Sequence, residues 1–242
     1  MIAATEFEYR YRYMLHGLIY AIGFGAPWDK SWYRLGSGSL WGKLARVFWE
    51  HGFGNVSSAS NFVLVAAIVL AVAGAGLRVW GAAFLGAATV QRGNMVAGRV
   101  VADGPYRYLR NPLYFGTVLN TAALVILMRP SGAVLTMVLI IVYQLRLIAR
   151  EEPFLRREIG PAYTEYCRIV PRIVPRLRQA NVPHGGAQAA WGQGFASEVY
   201  VVGAALSFAA LGWTYDAALV MQGVFVSIGL ALVVRAFIPY RG

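Results

Sequence analysis

The segment RVVADGPYRYLRNPLYFG, residues 99–116, has residue types that suit the binding of a charged ligand. Its Asp-Gly-Pro-Tyr run favours a tight turn, and Asn111 before Pro112 is typical of a helix N-cap and first turn. Free N–H groups at that helix start, close to Arg107 and Arg110, form an anion-binding arrangement. Three tyrosines can supply flat faces for a ring: Tyr106, Tyr108 and Tyr114. An ordinary loop at a membrane interface, with arginines for topology and tyrosines for the aromatic belt, explains the same residues equally well.

Two adjacent carboxylates, Glu151 and Glu152, form the second constellation. We expect them at the C-terminal end of a spanning helix, where the helix dipole disfavours negative charge unless something compensates. Pairing with Arg146 or Arg150, one turn away, is one compensation. A cationic or polyhydroxylated ligand is the other, because carboxylates bind ammonium groups and ribose hydroxyls. An acidic pair that faces a basic loop suits a zwitterionic ligand that carries a nucleoside.

The common motifs of protein nucleophiles, metal sites and nucleotide loops are absent from the sequence. His16, His51 and His184 lie far apart, and Cys167 is the single cysteine, so neither a metal site nor an intramolecular disulfide is expected. Chemistry driven by a bound small cofactor is therefore favoured over chemistry by protein nucleophiles.

The composition predicts an all-α integral membrane protein. The 242 residues are 58% hydrophobic, with a mean hydropathy of +0.52, which is too apolar for a soluble domain. A spanning helix needs about 20 mostly apolar residues. Windows without charged residues approach that length at 13–28, 61–77, 111–128, 130–145, 199–215 and 217–234. We predict about six transmembrane helices, within a range of five to seven, and a cytoplasmic ligand pocket.

The formal net charge of +11 is explained by topology and not by nucleic acid. A hairpin at 129–132 places segments 81–110 and 150–195 on one side, and with both termini and the helix ends at Arg78 and Arg146 that side has 17 of the 22 basic residues. The positive-inside rule puts these segments and both termini in the cytoplasm. We expect a bacterial inner membrane, and no cleavable signal, because Glu6 and Glu8 stand where a basic region should be.

Four parts are expected along the chain: an N-terminal span and interfacial connection (1–60), a core (61–178), a linker (179–198) and a C-terminal hairpin (199–242). Within the connection, residues 57–60 predict the cap of the next helix. Four glycines should allow close helix packing: Gly74, Gly76, Gly81 and Gly86. The acidic pair should be followed by one short helix and an extended tail, and residues 181–188 by composition form a flexible linker.

Three ordered segments resemble the isoprenylcysteine carboxyl methyltransferase and phospholipid methyltransferase superfamily. They are GLRVWGAAFLG (76–86), GPYRYLRNPLYFG (104–116) and AREEPFLRREIGPAYTEYCRIVPRIVP (149–175). The usual pattern there is G-x-Y-R-x-x-R-H-P-x-Y-x-G, then E-E, then G-x-x-Y-x-x-Y with a V-P-R-x-x-P tail. The resemblance covers residues 61–178, about half of the chain, and the ordered combination is more specific than any one segment.

The resemblance implies an integral membrane enzyme that binds S-adenosylmethionine in a cytoplasmic pocket. The positions assigned to the cofactor are Gly104, Tyr106, Arg107, Tyr108, Arg110, Asn111, Pro112, Tyr114, Glu151 and Glu152. Those assigned to the acceptor are Tyr163, Tyr166, Arg168 and Arg172, with Arg176 as a neighbour. Arg172 and Glu152 are the implied catalytic residues. One departure is Asn111, where the superfamily has His; its amide can bind a cofactor carboxylate but cannot act as a base near neutral pH.

The implied reaction is methyl transfer to a lipophilic acceptor, most simply carboxyl O-methylation of the isoprenylcysteine type. A carboxylate acceptor is already ionised, and Arg172 would orient it. An amine acceptor, as in a phospholipid N-methyltransferase, would need Glu151 or Glu152 as a base. A small isoprenoid or lipid in the membrane is favoured over a prenylated protein. An NADPH-dependent membrane reductase and a non-catalytic membrane scaffold or transporter subunit are the alternatives from other classes.

Overall fold

The computed structural model describes residues 2–26, 38–86, 100–214 and 217–237. These ranges contain α-helices and two short 3-10 helices, Gly104–Arg107 and Val125–Leu127, and they contain no strand. The all-α class is therefore confirmed for the described part of the chain. The helices are α1 (Glu6–Arg10), α2 (Arg12–Gly25), α3 (Leu40–Glu50), α4 (Val56–Leu85), α5 (Pro112–Leu124), α6 (Pro130–Ile159), α7 (Pro161–Ile169), α8 (Trp191–Ser197), α9 (Val199–Thr214) and α10 (Ala217–Phe237).

Two helices, α4 and α6, are long and apolar enough to cross a membrane. A third span results if α8 and α9, which meet at a bend of 75°, count as one. The six predicted spans are thus not confirmed by length and composition within the described ranges. The predicted windows do fold as helices, but several are short: α2 has 14 residues, or about 21 Å, against a hydrocarbon core of about 30 Å.

Helix α4 is the centre of the fold, because α3, α5, α8 and α9 all pack against it. Its small residues Ala67, Ala71 and Ala75 are buried with Phe208 and Leu211 of α9. Small side chains let the helix axes approach, so the apolar surface of α4 is closed off by neighbours on several sides.

The four predicted packing glycines have different surroundings. A Cβ at Gly74 would lie 2.8 Å from the carbonyl oxygen of Gly116 in α5, and one at Gly81 would lie 3.2 Å from Pro112. These two positions therefore bring α4 and α5 together, as predicted. The prediction for Gly76 is wrong, because nothing lies within 4 Å of a Cβ there. Gly86 ends α4 with a φ of 88°, which a side chain would strain.

The N-terminal helices are fixed on α6 by polar contacts. Thr5 and Glu8 form a capping box at the start of α1. The guanidinium of Arg146 donates to both oxygens of Glu8, at 2.9 and 2.8 Å, and the backbone N–H of Ala4 donates to the carbonyl of Arg146. The Arg150 side chain donates to the carbonyl of Ala4. Arg146 and Arg150 thus hold the N-terminus, and the predicted pairing of these arginines with the carboxylate pair is wrong.

Two predicted helix ends lie elsewhere. The cap of α4 is Asn55, whose side chain accepts from the Ser58 N–H at 2.8 Å, in place of residues 57–60. Helix α6 continues to Ile159, so Glu151 and Glu152 are inside it and the dipole argument does not apply. The short helix α7 and the extended tail after it are confirmed. Arg99 and the hairpin tip at Asp216 lie outside the described residues.

The close approach of α4 and α5 gives a stability prediction with a matched control. Gly74→Ala should lower the free energy of unfolding by about 1–3 kcal/mol, because the new methyl group meets a backbone oxygen. Gly76→Ala, two residues further on an open surface, should be neutral or stabilise by about 0.5–1 kcal/mol. Thermal unfolding of the two variants in detergent measures both effects, and equal shifts would contradict the assigned packing.

Candidate active site

Glu152 is the polar centre of the site. Its side chain is 3% exposed, and Arg172 binds Oε2 through Nη2 at 2.6 Å and Nε at 3.1 Å. Arg110 approaches Oε1 through Nη1 at 3.3 Å without hydrogen-bond geometry. Oε1 of Glu152 and the Nε and Nη1 atoms of Arg110 therefore lack hydrogen-bond partners among the described residues. The basic loop and the acidic pair meet here, as the sequence predicted.

The tail after α7 runs along the loop and fixes its shape. The Arg110 N–H donates to the carbonyl of Pro171, and the Arg176 N–H donates to that of Tyr108. Asn111 belongs to the same contact: its amide donates to the carbonyl of Arg172 at 2.9 Å. Asn111 is the N-cap residue of α5, as predicted, but its side chain makes no capping bond. A tail carbonyl takes up the amide instead.

Glu151 has a different partner from Glu152. The hydroxyl of Tyr114 in α5 donates to Glu151 Oε2 at 2.7 Å. Both side chains line a cavity inside the helix bundle. The two adjacent glutamates therefore have different partners: Glu152 binds arginines, whereas Glu151 accepts a hydrogen bond from the neutral Tyr114 hydroxyl.

Three buried tyrosines join the loop to α7. The hydroxyl of Tyr166 donates to the carbonyl of Tyr106 at 2.8 Å, and the rings of Tyr163 and Tyr166 are 5.8 Å apart. Burial raises the pKa of both Tyr163 and Tyr166, so their hydroxyls stay protonated and act as donors. All three rings line the cavity.

The segment 181–188, predicted to be a flexible linker, is tied to Asp103. The Ala187 N–H donates to Oδ2 at 2.8 Å, and His184 pairs with Oδ1 at 3.1 Å. Burial alone would raise the pKa of Asp103. Hydrogen bonds from the Ala187 N–H, His184 and the Gly185 N–H together have a larger effect in the opposite direction, so the pKa lies below its ordinary 3.8. These hydrogen bonds hold part of the predicted linker against Asp103, a residue whose sequence context indicated only a role in the turn.

Arg78 and Glu198 form a buried ion pair that sequence reasoning missed. Arg78 Nε and Nη2 donate to the two Glu198 oxygens at 2.7 and 3.0 Å, and Nη1 donates to the carbonyl of Leu113 and to Thr117. A lone acid at the edge of an apolar window, such as Glu198 just before 199–215, was the available signal, because such a residue needs a partner.

The cavity has a volume of about 760 Å³, within the range of roughly 300–1,000 Å³ typical of small-molecule sites. Its polar end is lined by Tyr106, Arg110, Asn111, Glu151 and Glu152. Apolar residues of the central and C-terminal helices line the remainder: Ala71, Leu124, Phe208, Val224, Ile228 and Leu232. One cavity therefore joins the two predicted constellations to an apolar interior.

The predicted site residues divide into two groups. Those that line the cavity are Tyr106, Arg110, Asn111, Pro112, Tyr114, Glu151, Glu152, Tyr163 and Tyr166. Gly104, Arg107, Tyr108, Arg168 and Arg172 lie elsewhere.

The second group has contacts that explain its positions. Arg107 donates to the carbonyls of Ala102 and Ala180, and Arg168 is exposed beside Glu165. Gly104 has a φ of 56° and packs on the Phe84 ring. Tyr108 accepts from Gln179 at 3.1 Å. Within the described ranges no cluster of His, Cys, Asp or Glu could hold a metal ion.

The residues at the polar end fit a zwitterionic nucleoside such as S-adenosylmethionine. The unpartnered nitrogens of Arg110 can bind a carboxylate, and Glu151 and the free oxygen of Glu152 can accept from hydroxyl or ammonium groups. The Tyr106, Tyr163 and Tyr166 rings offer faces for a base. Buried polar atoms without partners are the feature expected where a polar ligand completes the network.

The Glu152 contacts predict a stability loss with a surface control. Glu152→Gln should destabilise the protein by about 3 kcal/mol, because the buried Arg110 side chain then lacks a counter-charge. Glu158→Gln, which removes an exposed pair with Arg157, should change stability by less than about 1 kcal/mol. Chemical denaturation of both variants measures the difference, and a loss at Glu152 no larger than that at Glu158 would be the contrary result.

The Asp103 contacts predict protection of segment 181–188 from proteases. Asp103→Ala should expose this segment to limited proteolysis at neutral pH, because three hydrogen bonds are lost. The folded-state pKa is lowered, so the stabilisation is present above 3.8 and is lost as the pH falls through the folded value. Mass spectrometry of the fragments locates the cuts. Cleavage of segment 181–188 at the same rate in the wild type and the variant would show that the Asp103 hydrogen bonds do not protect it.

Comparison with known proteins gives one family. Residues 62–161 match the family model described as phospholipid methyltransferase, a range that includes the loop and the carboxylate pair but not the tail or α8–α10. No curated protein and no solved structure matches the chain. The match and the apolar helices indicate an integral membrane methyltransferase. Over residues 62–161 the chain is similar to the phospholipid methyltransferase family, which lies within the membrane methyltransferase superfamily that its motifs resemble.

Proposed function

We propose that this protein transfers a methyl group from S-adenosylmethionine to a lipophilic acceptor, and that the acceptor group is a carboxylate. The observation that carries the proposal is the single cavity, which is lined by the family's motif residues at one end and by apolar helix walls at the other. A polar cofactor and a hydrocarbon chain can therefore share one cavity. The cofactor supplies an electrophilic methyl group on sulfur.

The protein's own contribution is positioning and exclusion of water. Arg110 and Asn111 would face the cofactor carboxylate, while Glu151, oriented by Tyr114, would accept from its hydroxyl or ammonium groups. The tyrosine rings and α7 cover this end of the cavity. Because Arg172 binds Glu152 and is not on the cavity wall, we assign it a positioning role in place of direct acceptor binding.

A carboxylate acceptor is favoured by the charges around the cavity. Three guanidinium groups line it, those of Arg12, Arg78 and Arg110. Arg78 is paired with Glu198, but Arg110 has nitrogens without hydrogen-bond partners among the described residues and can attract a carboxylate. A carboxylate needs no base, whereas an amine must first lose a proton. The residues that could serve an amine as a base, Glu151 and Glu152, already bind Tyr114 and arginines. Phospholipid N-methylation is the second candidate, and the family description favours it.

The topology that we propose keeps six spans, with the loop, the carboxylate pair and both termini in the cytoplasm of a bacterial inner membrane. The short helices α2 and α5 would cross only with their polar flanking residues at the interfaces. The exposed arginines at the end of α6, in α7 and in the tail are the residues that the positive-inside rule expects on the cytoplasmic side: Arg156, Arg157, Arg168, Arg172 and Arg176.

Cofactor binding and group transfer test the proposal in one series. Calorimetry should detect S-adenosylmethionine binding by the wild type, and Glu151→Gln should weaken it at least tenfold, because the negative charge is lost and one carboxylate oxygen becomes an amide donor. Glu158→Gln is the matched exposed control and should bind normally. Absence of binding by the wild type would exclude this function.

The behaviour of the methylated product in base shows which chemical group accepts the methyl group. Wild-type protein, radiolabelled cofactor and a lipid extract should give a labelled lipid that releases its label as volatile methanol in mild base, as a methyl ester does. Label that stays non-volatile in mild base would instead assign N-methylation and contradict the carboxylate.

A further inference from the structure

A second polar group lies in the cavity, away from the loop and the carboxylate pair. His16 of α2 and Gln144 of α6 both line the cavity, and their Nε2 atoms are 2.7 Å apart. Gln144 is 2% exposed, and its Oε1 has no hydrogen-bond partner among the described residues. Gln144 precedes Glu151 by two helical turns, which is roughly 10 Å along α6. His16 lies outside the segment that matches the family.

The hydrogen bonds of His16 define the state of this pair. Its Nδ1 faces the carbonyl oxygen of Arg12, which can only accept, so Nδ1 carries the hydrogen. The Gln144 amide then donates to Nε2, and the imidazole is neutral. The opposite amide orientation would need a charged imidazolium beside Arg12 and Arg78, which line the same cavity. The Gln144 carbonyl is therefore the group left without a partner.

An unpartnered carbonyl in the protein interior costs about 1–3 kcal/mol, so a donor from a ligand or a water is expected. Asn120 of α5 lines the cavity as well, and its Nδ2 has no acceptor in the part of the chain that the structure describes. A hydroxyl group can donate and accept, and it suits either side chain. A carboxylate cannot donate to Gln144, and an ammonium group is disfavoured by Arg12 and Arg78. The chemistry therefore selects a neutral hydroxyl.

We propose that Gln144 forms a subsite for a hydroxyl group on the chain of a lipophilic ligand. Gln144 contacts the ligand, and His16 is a positioning residue that fixes the amide. The binding of a hydroxyl group at Gln144 does not depend on the proposed function. The identification of this ligand with the methyl acceptor does rest on it. The hydroxyl subsite adds a specificity determinant that lies outside the family's loop and carboxylate motifs.

Direct binding without S-adenosylmethionine tests the subsite. The purified protein is titrated with stearic acid and with hydroxystearic acids that carry the hydroxyl at different chain positions. At least one hydroxy acid should bind roughly threefold to tenfold more tightly than stearic acid, as expected for one buried hydrogen bond. Gln144→Met should abolish this preference and leave stearic acid binding unchanged. His16→Phe should reduce the preference, because the amide is no longer held.

Tyr20→Phe is the control, since the Tyr20 hydroxyl also borders the cavity but already pairs with Thr121 at 2.7 Å. This variant should keep the preference. Equal affinity of the wild type for all the acids, including no binding of any, would overturn the subsite and leave a water molecule as the partner of Gln144. A preference that persists in Gln144→Met would overturn it as well. A preference without methyl transfer would contradict the proposed function alone.

Discussion

The burial of Glu152 is the constraint on which the site depends. A carboxylate that is 3% exposed inside an apolar helix is tolerated only with counter-charges, and these come from two separate segments: Arg110 of the loop and Arg172 of the tail. The loop and the tail must therefore converge on α6. Their backbone hydrogen bonds to each other and the Asn111 bond to the tail follow from that convergence. Within the described ranges the contact leaves nitrogens of Arg110 and one oxygen of Glu152 without partners, and these are the atoms that a zwitterionic ligand would use.

A second buried pair joins the family segment to the rest of the chain. Arg78 of α4 binds Glu198, which lies at the bend between α8 and α9. Glu198 is beyond residues 62–161, so the C-terminal helices are held to the family segment by charge as well as by apolar packing. They also supply walls of the cavity through Phe208, Val224 and Ile228. The C-terminal hairpin is thus part of the site and more than an additional anchor.

The sequence predicted the elements better than their partners. Windows of apolar residues located the helices, because each buried helix is a continuous stretch of apolar residues that can be recognised in the sequence. The meeting of Arg110 with Glu152 was also predictable, since topology places both segments on one side of a hairpin. Partners distant in sequence could not be predicted: Arg146 binds Glu8, Asn111 binds the tail, and Asp103 holds the Ala187 segment. Each of these contacts depends on how the helices and loops pack in three dimensions, and the residue types alone do not show which side chains come close together.

The central claim is that the cavity holds the cofactor at its polar end and the acceptor chain in its apolar part. A structure of the protein with S-adenosylhomocysteine, the demethylated product, tests it most directly. The account predicts that the product lies against Arg110, Asn111 and Glu151, with the apolar remainder of the cavity free for a lipid chain. A product bound outside this cavity, or none bound at saturating concentration, would contradict the account.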